Sequence, residues 1–300
     1  MIKIQDVTKR FDDILALDHV TAQIQENSIF GLVGTNGAGK STLLRVMSGI
    51  LKPEEGSVEI DDRMVWENPQ AKEKICFIPD AAWFFPNANI LVMRDYYKII
   101  YPGFDQKRFD DLVRKFDLDP KRKLSTFSKG MKKQVSVLLG ICANTEYLFC
   151  DETFDGLDPV MRQTVKSLFA SELLNRKFTP VIASHSLREI EDICDHVGLL
   201  HKGGILFAKD LDEMKLGIHK IQCVIPDALL EEELLAEMDV LHHEKRGSLL
   251  TVIVRGKHDE VMSKIQEKQP LFSEILPLTL EEIFISETEV AGYDIKNLVF

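Results

Sequence analysis

The sequence predicts an α/β fold with a parallel sheet at its centre, and three observations support this prediction. A short apolar run at 28–33 is followed by a glycine-rich loop and then by apolar residues at helical spacing. Two more apolar runs, at 147–150 and 180–184, end in polar residues, as central parallel strands do where they meet a ligand crevice. The composition becomes acidic after about residue 215, which indicates a separate appendage.

The order of the core elements follows from the periodicity of the apolar residues. Alternation at 2–4 and 20–24 predicts two strands of an antiparallel edge sheet, joined near residues 11–13. Residues 159–176 have helical periodicity, and Pro159 stands at the start, where proline is tolerated. The helix after the glycine-rich loop is predicted from Leu43, Leu44, Val46, Met47 and Ile50.

Two further parts of the fold lie outside this core. Residues from about 87 to 139 have helix-type spacing and few strand signals, so we expect a helical subdomain inserted between core strands. Apparent strands at 221–225 and 248–254, followed by a helical segment, predict a small α+β appendage. We accordingly assign residues 1–215 to a main domain and residues 216–300 to an accessory domain.

The composition excludes several classes of protein. Hydrophobic residues make up 45% of the 300 residues and charged residues 28%, which suits a sizeable buried core and not a disordered chain. The formal net charge is −11, and binding along nucleic-acid phosphates needs clustered Lys and Arg, so we expect no nucleic-acid partner. Most of the imbalance lies in residues 216–300, which contain 8 basic and 16 acidic residues.

Cysteine usage and the start of the chain point to a reducing compartment and to no membrane span of its own. The five cysteines are widely spaced and form no C-x-x-C pair, so neither a disulfide framework nor a zinc site is expected. The first residues lack the apolar core of a signal peptide, and no stretch approaches the roughly 18 apolar residues that span a bilayer. A role at a membrane would require another polypeptide to hold the chain there.

Residues 34–42 match the G-x-x-x-x-G-K-[ST] pattern of a P-loop, in the strand-to-helix context that the motif requires. Backbone N–H groups of such a loop wrap phosphates, its lysine reaches the β- and γ-phosphates, and its hydroxyl binds Mg²⁺. We therefore predict a P-loop NTPase core that binds ATP and Mg²⁺ through Gly34, Thr35, Asn36, Gly37, Ala38, Gly39, Lys40, Ser41 and Thr42.

Two adjacent carboxylates, Asp151 and Glu152, end the apolar run at 147–150. Such a pair is usually a solvated strand end, but a P-loop needs an acidic partner for magnesium. We expect Asp151 to hold the Mg²⁺ shell and Glu152 to orient or activate the attacking water as the catalytic base. Phosphoryl transfer depends mainly on positioning and charge stabilisation, so one metal and one base supply enough chemistry.

The segment 127–131 makes the chain resemble the ABC ATPases. It reads Phe-Ser-Lys-Gly-Met, lies upstream of the Asp-Glu strand, and resembles the signature loop of that family, usually written LSGGQ. Ser128 and Gly130 are retained. Lys129 replaces the first glycine, and Met131 replaces the glutamine. The resemblance implies that this loop caps the γ-phosphate of a nucleotide on a facing subunit, where Lys129 either adds a cation or is a solvated loop lysine.

Further positions match that family in order along the chain, and the resemblance implies a role for each. Phe11 corresponds to the aromatic residue that stacks on adenine. Asp158 ends the segment 155–158, which resembles the D-loop that bridges two nucleotide sites. His185 matches the switch histidine that contacts the γ-phosphate during catalysis. Asp80 stands where most relatives have a glutamine that touches Mg²⁺ and senses the transport partner; a simple loop acid is the alternative.

Aromatic residues are concentrated at 83–85, 96–97 and 101–104. In ABC ATPases this neighbourhood docks the coupling helices of the membrane subunit, and aromatic anchors are typical of binding hot spots. Packing inside the helical subdomain is the competing explanation. The aromatic pattern and the signature loop resemble exporter-type subunits for drug, antibiotic and peptide efflux, and residues 280–284 resemble a C-terminal helix found in many of them.

The resemblance covers about residues 1–215 and implies a Mg-dependent ATP hydrolase that powers a membrane transporter, with an exporter expected. The implied partners are a second ATP-binding subunit, identical or not, and a multi-span membrane permease that holds the protein on the cytoplasmic face of the membrane. Two alternatives are kept. One is a soluble ABC ATPase that acts as a mechanical switch without a permease, and the other is a nucleotide-binding regulatory subunit with weak turnover.

Overall fold

The structure is a computed structural model that describes residues 1–154 and 157–290, without the side chains of Leu216 and of residues 286–290. The described chain forms two compact units, of which the first is Met1–Ala208 and the second begins at Lys209. The assignment of 216–300 to an accessory domain stays a proposal. Asp155 and Gly156, which belong to the predicted D-loop, lie outside the described residues.

The first unit contains two sheets and the helices that cover them. Its strands are β1 (Ile2–Phe11), β2 (Ile14–Ile24), β3 (Phe30–Val33), β4 (Glu55–Ile60), β5 (Arg63–Met64), β6 (Ile75–Ile78), β7 (Tyr147–Asp151), β8 (Thr179–Ser184), β9 (His196–His201) and β10 (Gly204–Asp210), whose last two residues belong to the second unit. Its helices are α1 (Lys40–Met47), α2 (Pro69–Lys72), α3 (Ile90–Ile100), α4 (Gln106–Lys115), α5 (Lys129–Cys142), α6 (Pro159–Asn175) and α7 (Leu187–Ile193), with a 3-10 turn at Leu124–Thr126.

The central sheet has the strand order β10-β9-β3-β8-β7-β6. Strand β3 is parallel to β8 and β9, and β7 is parallel to β6 and β8. Every residue of β3, β7 and β8 is buried, as expected for strands covered on both faces. The carboxyl ends of β7 and β8 lie side by side, since Asp151 pairs in register with Ala183. The predicted parallel α/β core is confirmed.

The antiparallel edge sheet has the order β2-β1-β4-β5. Strand β1 lies between β2 and β4, and Ile2 is paired in register with both Ile24 and Ile60. These three isoleucines are fully or almost fully buried in one core cluster with residues of α1 and the central sheet. Alternating apolar side chains therefore attach the edge sheet to the core, as the sequence pattern predicts.

The predicted helical subdomain consists of α3, α4 and α5. Each of these helices begins with a side-chain N-cap, in which Asn89, Asp105 and Ser128 accept a backbone N–H from the first turn. Phe109, fully buried, lies in the subdomain's hydrophobic core. The aromatic residues divide between the two predicted explanations. Phe84, Phe85, Tyr96, Tyr97 and Phe104 pack against this core, whereas Trp83 is 60% exposed.

The second unit is an α+β arrangement with one four-stranded antiparallel sheet of order β12-β13-β11-β14. Its strands are β11 (Ile218–Val224), β12 (Asp239–Arg246), β13 (Leu249–Arg255) and β14 (Phe272–Leu276). Its helices are α8 (Leu211–Leu216), α9 (Ala228–Glu237), α10 (His258–Glu267) and α11 (Leu280–Val290). The predicted α+β class is confirmed, and the two predicted strands correspond to β11 and β13.

One residue assigned to the helix after the glycine-rich loop is misplaced. Helix α1 ends at Met47, and Ile50 lies beyond it with 53% of its surface exposed. The physical reason is the chain reversal at Gly49, whose backbone φ of 67° ends the helix. Ile50 therefore matches the helical period by chance and contributes nothing to the buried face of α1.

Candidate functional site: a nucleotide site at the carboxyl ends of the parallel strands

The loop between β3 and α1 carries the predicted phosphate-binding residues. Gly39 precedes α1 with a φ of 106°, and a Cβ atom on it would lie 2.4 Å from the carbonyl oxygen of Ala16. Only glycine fits this combination of left-handed backbone and close approach. Helix α1 has no side-chain cap, so its first N–H groups are directed into the loop, where anions are favoured.

Lys40 is the first residue of α1 and is buried against this loop, with 5% of its surface exposed. Its Nζ donates to the carbonyl oxygen of Gly34 at 2.7 Å and to that of Thr35 at 3.3 Å. The same Nζ lies 3.4 Å from Oε1 of Glu152. The ammonium group is therefore held between the glycine-rich loop and the acidic end of β7.

Asp151 ends β7 and is 1% exposed. The Oγ of Ser41 donates to Oδ1 of Asp151 at 2.8 Å, which places the P-loop hydroxyl beside this carboxylate. Burial raises the pKa of Asp151, the hydrogen bond from Ser41 and the positive charge of Arg45 lower it, and the negative charges of Glu152 and Asp80 raise it. The net direction of the pKa shift is upward, so burial outweighs the hydrogen bond from Ser41 and the charge of Arg45, and the ionised carboxylate is disfavoured.

Glu152 follows Asp151 with a left-handed backbone, φ 48°, which is uncommon for a residue other than glycine. Its N–H donates to the carbonyl oxygen of Ala183 at 3.0 Å. Its Oε2 lies 2.9 Å from Nδ1 of His185, which follows β8. The neighbouring strands β7 and β8 thus bring the predicted base and the predicted switch histidine into direct contact.

The signature-type residues lie at the start of α5. Ser128 is the N-cap, and its Oγ accepts the N–H of Met131 at 3.2 Å. Lys129 is exposed and Gly130 is half-buried. Asp158 plays the same structural part at α6, where its Oδ1 accepts the N–H of Met161 at 2.9 Å. These residues lie at the exposed starts of α5 and α6 and are not part of the cluster around Lys40.

Phe11 and Asp80 lie outside the contacts that join Lys40, Ser41, Asp151 and Glu152. Phe11 ends β1 with 42% of its surface exposed, and the Nζ of Lys9 lies 5.3 Å from its ring centroid. Asp80 follows β6, and its half-exposed carboxylate forms an ion pair with Lys133, in which Oδ1 lies 3.2 Å from Nζ. Asp80 is therefore paired with a lysine rather than with the hydroxyl of Ser41.

Lys133 is the site residue that the sequence reasoning missed. It belongs to α5, is 2% exposed, and donates from Nζ to the main-chain carbonyl oxygen of Glu152. A signal for it exists in the sequence. Lys133 stands at helical spacing from Ser136 and Gly140, which are also buried, and this spacing indicates a lysine on the inner face of the helix.

The oxygen groups at the end of β7 fit a magnesium ion that completes its shell elsewhere. Within residues 1–154 and 157–290, His, Cys, Asp and Glu side chains form no group of three that could hold a metal by themselves. Ser41 and Asp151 instead offer one hydroxyl and one carboxylate in contact with each other. Mg²⁺ typically takes one or two protein oxygens and fills its other positions with water and substrate phosphates.

Comparison with known proteins shows the family. A family model described as ABC transporter matches residues 17–155. The chain is 31% identical over 288 residues to the ABC transporter ATP-binding protein YtrB of Bacillus subtilis, across 96% of this chain and 98% of that protein. The chain belongs to the ATP-binding subunits of ABC transporters. This ABC subunit binds ATP and is an ATPase, as the resemblance at 127–131 implies.

Two further comparisons agree with that family. The ABC subunit is 32% identical over 223 residues to the bacitracin transport ATP-binding protein BcrA of Bacillus licheniformis, across 72% of this chain and 71% of that protein. Its fold matches a solved ATP-binding subunit of an ABC transporter with a TM-score of 0.66 at 22% identity, across 72% of this chain and 92% of that one. Among the described residues of this ABC subunit, no helix has the length and apolarity needed to cross a bilayer.

Proposed function

We propose that this ABC subunit couples Mg-dependent ATP hydrolysis to export through a membrane permease, by forming an ATP-bound dimer. One observation carries the catalytic part of the proposal. Two groups of contacts lie side by side at the carboxyl ends of β7 and β8: Glu152 contacts Lys40 and His185, and the adjacent Asp151 accepts a hydrogen bond from Ser41. Crevices at this edge of an open α/β sheet are where ligands bind.

The phosphates of ATP bind to the loop Gly34–Thr42 and to the start of α1. The free N–H groups of that helix end attract negative charge, and Lys40 supplies a cation in the same loop. Thr35, Asn36, Gly37 and Ala38 complete this cradle from the loop, and Thr42 does so from the first turn of α1. The exposed ring of Phe11 stacks on adenine.

Ser41 and Asp151 would hold Mg²⁺, which would supply positive charge to neutralise the phosphates. A cation beside Asp151 also favours the ionised carboxylate, which burial alone disfavours. Glu152 accepts a proton from the attacking water, whose oxygen displaces ADP from the γ-phosphorus. His185 orients the Glu152 carboxylate from the opposite side to Lys40, because the two groups contact Oε2 and Oε1 respectively.

A second subunit completes each nucleotide site. Ser128, Lys129 and Gly130 lie exposed or half-exposed at the start of α5, where the helix N-terminus favours the phosphates of a facing nucleotide. Asp158 lies exposed at the start of α6 and belongs to the contact between the two subunits. Two copies arranged head to tail would then enclose two ATP molecules.

The transport part of the proposal rests on resemblance and on the exposed aromatic residue of the helical subdomain. Trp83 is 60% exposed beside the packed ring of Phe85, at a centroid distance of 4.9 Å, and it provides an anchor for a permease. A relative named for bacitracin transport supports an exporter of a similar class. The permease would hold the subunit on the cytoplasmic face of the membrane.

Glu152→Gln tests the catalytic part, because glutamine keeps the shape of the side chain and loses the base. We expect steady-state ATP hydrolysis to fall by about a thousandfold, ATP binding to be retained, and a stable dimer to form on addition of ATP. Hydrolysis is measured by phosphate release and dimerisation by sedimentation. Turnover at the wild-type rate would remove Glu152 from the role of base.

The transport part is tested by membrane attachment and by direction. Co-expression with a multi-span permease should move the wild-type subunit into the membrane fraction. Trp83→Ala should reduce this membrane attachment and leave the ATPase activity of the subunit without permease unchanged. Substrate uptake into inverted vesicles supports export. Uptake into right-side-out vesicles, or ATPase function with no membrane attachment under any condition, would contradict it.

A further inference from the structure

Lys133 connects the two acidic positions that follow β6 and β7. Its Nζ lies 3.2 Å from Oδ1 of Asp80 and donates to the main-chain oxygen of Glu152. Strands β6 and β7 are parallel neighbours, so Asp80 and Glu152 leave the sheet at the same edge. A single ammonium group on α5 therefore bridges the loop after β6 and the proposed catalytic loop.

Because Lys133 is buried, its ammonium group needs hydrogen-bond acceptors within the protein. Lys133 is 2% exposed, and a buried ammonium group requires acceptors for its protons. Asp80 supplies a carboxylate that is 55% exposed, and Glu152 supplies a carbonyl oxygen. Replacing Lys133 by an apolar side chain removes a donor from that carbonyl and a cation from beside Asp80.

The main chain of Glu152 depends on such contacts because its conformation is unfavourable. Its left-handed φ of 48° costs conformational energy, and such residues persist where neighbouring groups fix them. Two hydrogen bonds do so here, from the N–H of Glu152 to Ala183 and from Lys133 to the carbonyl oxygen of Glu152. The direction of the Glu152 side chain follows from this fixed backbone.

Helix α5 is held at a defined distance from the strands. A Cβ atom on Gly140 would lie 2.7 Å from Cδ1 of Ile78 and 3.0 Å from Cδ1 of Leu148, so glycine allows α5 to pack directly on β6 and β7. Lys133 lies on the same face, nearer the start of the helix. The position of its ammonium group is thus set by the contact between helix and sheet.

We propose that Lys133, paired with Asp80, is a positioning residue that holds the backbone of Glu152 in its left-handed conformation and so aligns the base for ATP hydrolysis. This inference rests on the proposed role of Glu152. It also gives Asp80 a function, as the counter-charge of a buried lysine that links the helix bearing Ser128 to the catalytic loop.

The test compares Lys133→Met, which keeps the length and apolar stem of the side chain, with Lys133→Arg, which keeps a cation. Lys107→Met, an exposed lysine of α4, is the matched control. We expect Lys133→Met to lower kcat by roughly 10- to 100-fold and to leave ATP affinity within about twofold of wild type. Lys133→Arg should recover part of the lost kcat, and Lys107→Met should behave as wild type.

Two measurements separate positioning from a general effect on folding. Amide hydrogen exchange at residues 151–154 should increase in Lys133→Met and not in Lys107→Met. Asp80→Asn, at a half-exposed position, should lower kcat by about threefold to tenfold without changing the unfolding temperature. Combined with Lys133→Met it should add little, since the two side chains act as one unit.

The outcomes distinguish this inference from the proposed function. If Glu152→Gln abolishes hydrolysis while Lys133→Met turns over at the wild-type rate, the positioning role is wrong and the base assignment stands. A fall in ATP affinity equal to the fall in kcat would also overturn it. Should Lys133→Met fail to fold, Asp80→Asn decides, and wild-type kcat in that variant would contradict the inference.

Discussion

The two ends of strand β7 place a carboxylate in opposite environments. At its start, Tyr147 donates from its hydroxyl to Oδ1 of Asp61 at 2.7 Å, and Lys74 pairs with Oδ2 at 2.6 Å. At its end, Asp151 accepts one hydrogen bond from Ser41 and is almost fully buried. Asp61 is surrounded by donors, two of them charged, whereas Asp151 has one neutral donor and lies near Arg45 and two acids.

The pKa shifts of the two acids express this difference. Burial raises the pKa of Asp61, but hydrogen bonds from Lys74, the terminal amine and Tyr147 outweigh it and hold the pKa well below its usual range. Burial raises the pKa of Asp151, and the hydrogen bond from Ser41 and the charge of Arg45 do not offset it. The ionised carboxylate of Asp61, at the start of β7, therefore stabilises the fold. The ionised carboxylate of Asp151, at its end, is disfavoured and would be stabilised by a bound cation.

Asp151→Asn removes the carboxylate at the carboxyl end of β7 and has the largest expected effect on ATP hydrolysis. We expect ATP hydrolysis to fall by about a thousandfold or more, because the carboxylate proposed for Mg²⁺ is lost. The free energy of unfolding, measured without nucleotide or metal, should rise by about 1 kcal/mol, since a buried and poorly compensated charge is removed. If Asp151→Asn lost both activity and stability, the proposed difference between Asp151 and Asp61 would be wrong.

Asp61→Asn changes the carboxylate that is bound at the start of β7. It removes the charge that pairs with Lys74, and we expect the free energy of unfolding to fall by about 2 kcal/mol, with kcat per folded molecule unchanged. Asp62→Asn is the matched control, because Asp62 is adjacent, 79% exposed and paired only at the surface with Lys3. That control should change stability by less than about 0.5 kcal/mol. Urea unfolding and ATPase assays measure both.

The pH dependence of stability should separate the same two acids. The folded-state pKa of Asp61 is lowered, so its contribution is present above the unfolded-state pKa and is lost as pH falls through the folded value. The folded-state pKa of Asp151 is raised, so its penalty is present above the folded value and disappears on acidification. Unfolding curves for the Asp61 and Asp151 variants should therefore approach wild type from opposite sides as pH falls.

The fold was largely predictable because its elements carry local signals. Strands β3, β7 and β8 are built on short apolar runs, of which the last two end in a polar residue, and α6 begins at a proline. Strand β12 was missed because most of its residues are exposed and polar, so the sequence shows no apolar alternation there. Ile50 was assigned to α1 because periodicity alone does not show where a glycine ends the helix.

The site was predictable where neighbours in sequence are neighbours in space. The P-loop and the Asp151-Glu152 pair are contiguous motifs, and strand order then brings His185 beside Glu152. The contact between Asp80 and Lys133 joins positions that are far apart along the chain, through a packing distance set by Gly140. No motif contains both residues, so the sequence analysis predicts a metal role for Asp80 and no role for Lys133.

The close contact between Gly140 of α5 and strands β6 and β7 is a point around which the helix could tilt. Gly140 lies against Ile78 and Leu148, and Lys133 stands seven residues, about 10 Å, nearer the start of the helix. A tilt of α5 by about 10° around this point would displace the lysine by about 2 Å, more than a hydrogen bond tolerates. A small rotation of the helical subdomain would thus be enough to break the hydrogen bond from Lys133 to the carbonyl oxygen of Glu152. The orientation of α5 would therefore determine whether the proposed catalytic base is aligned for ATP hydrolysis.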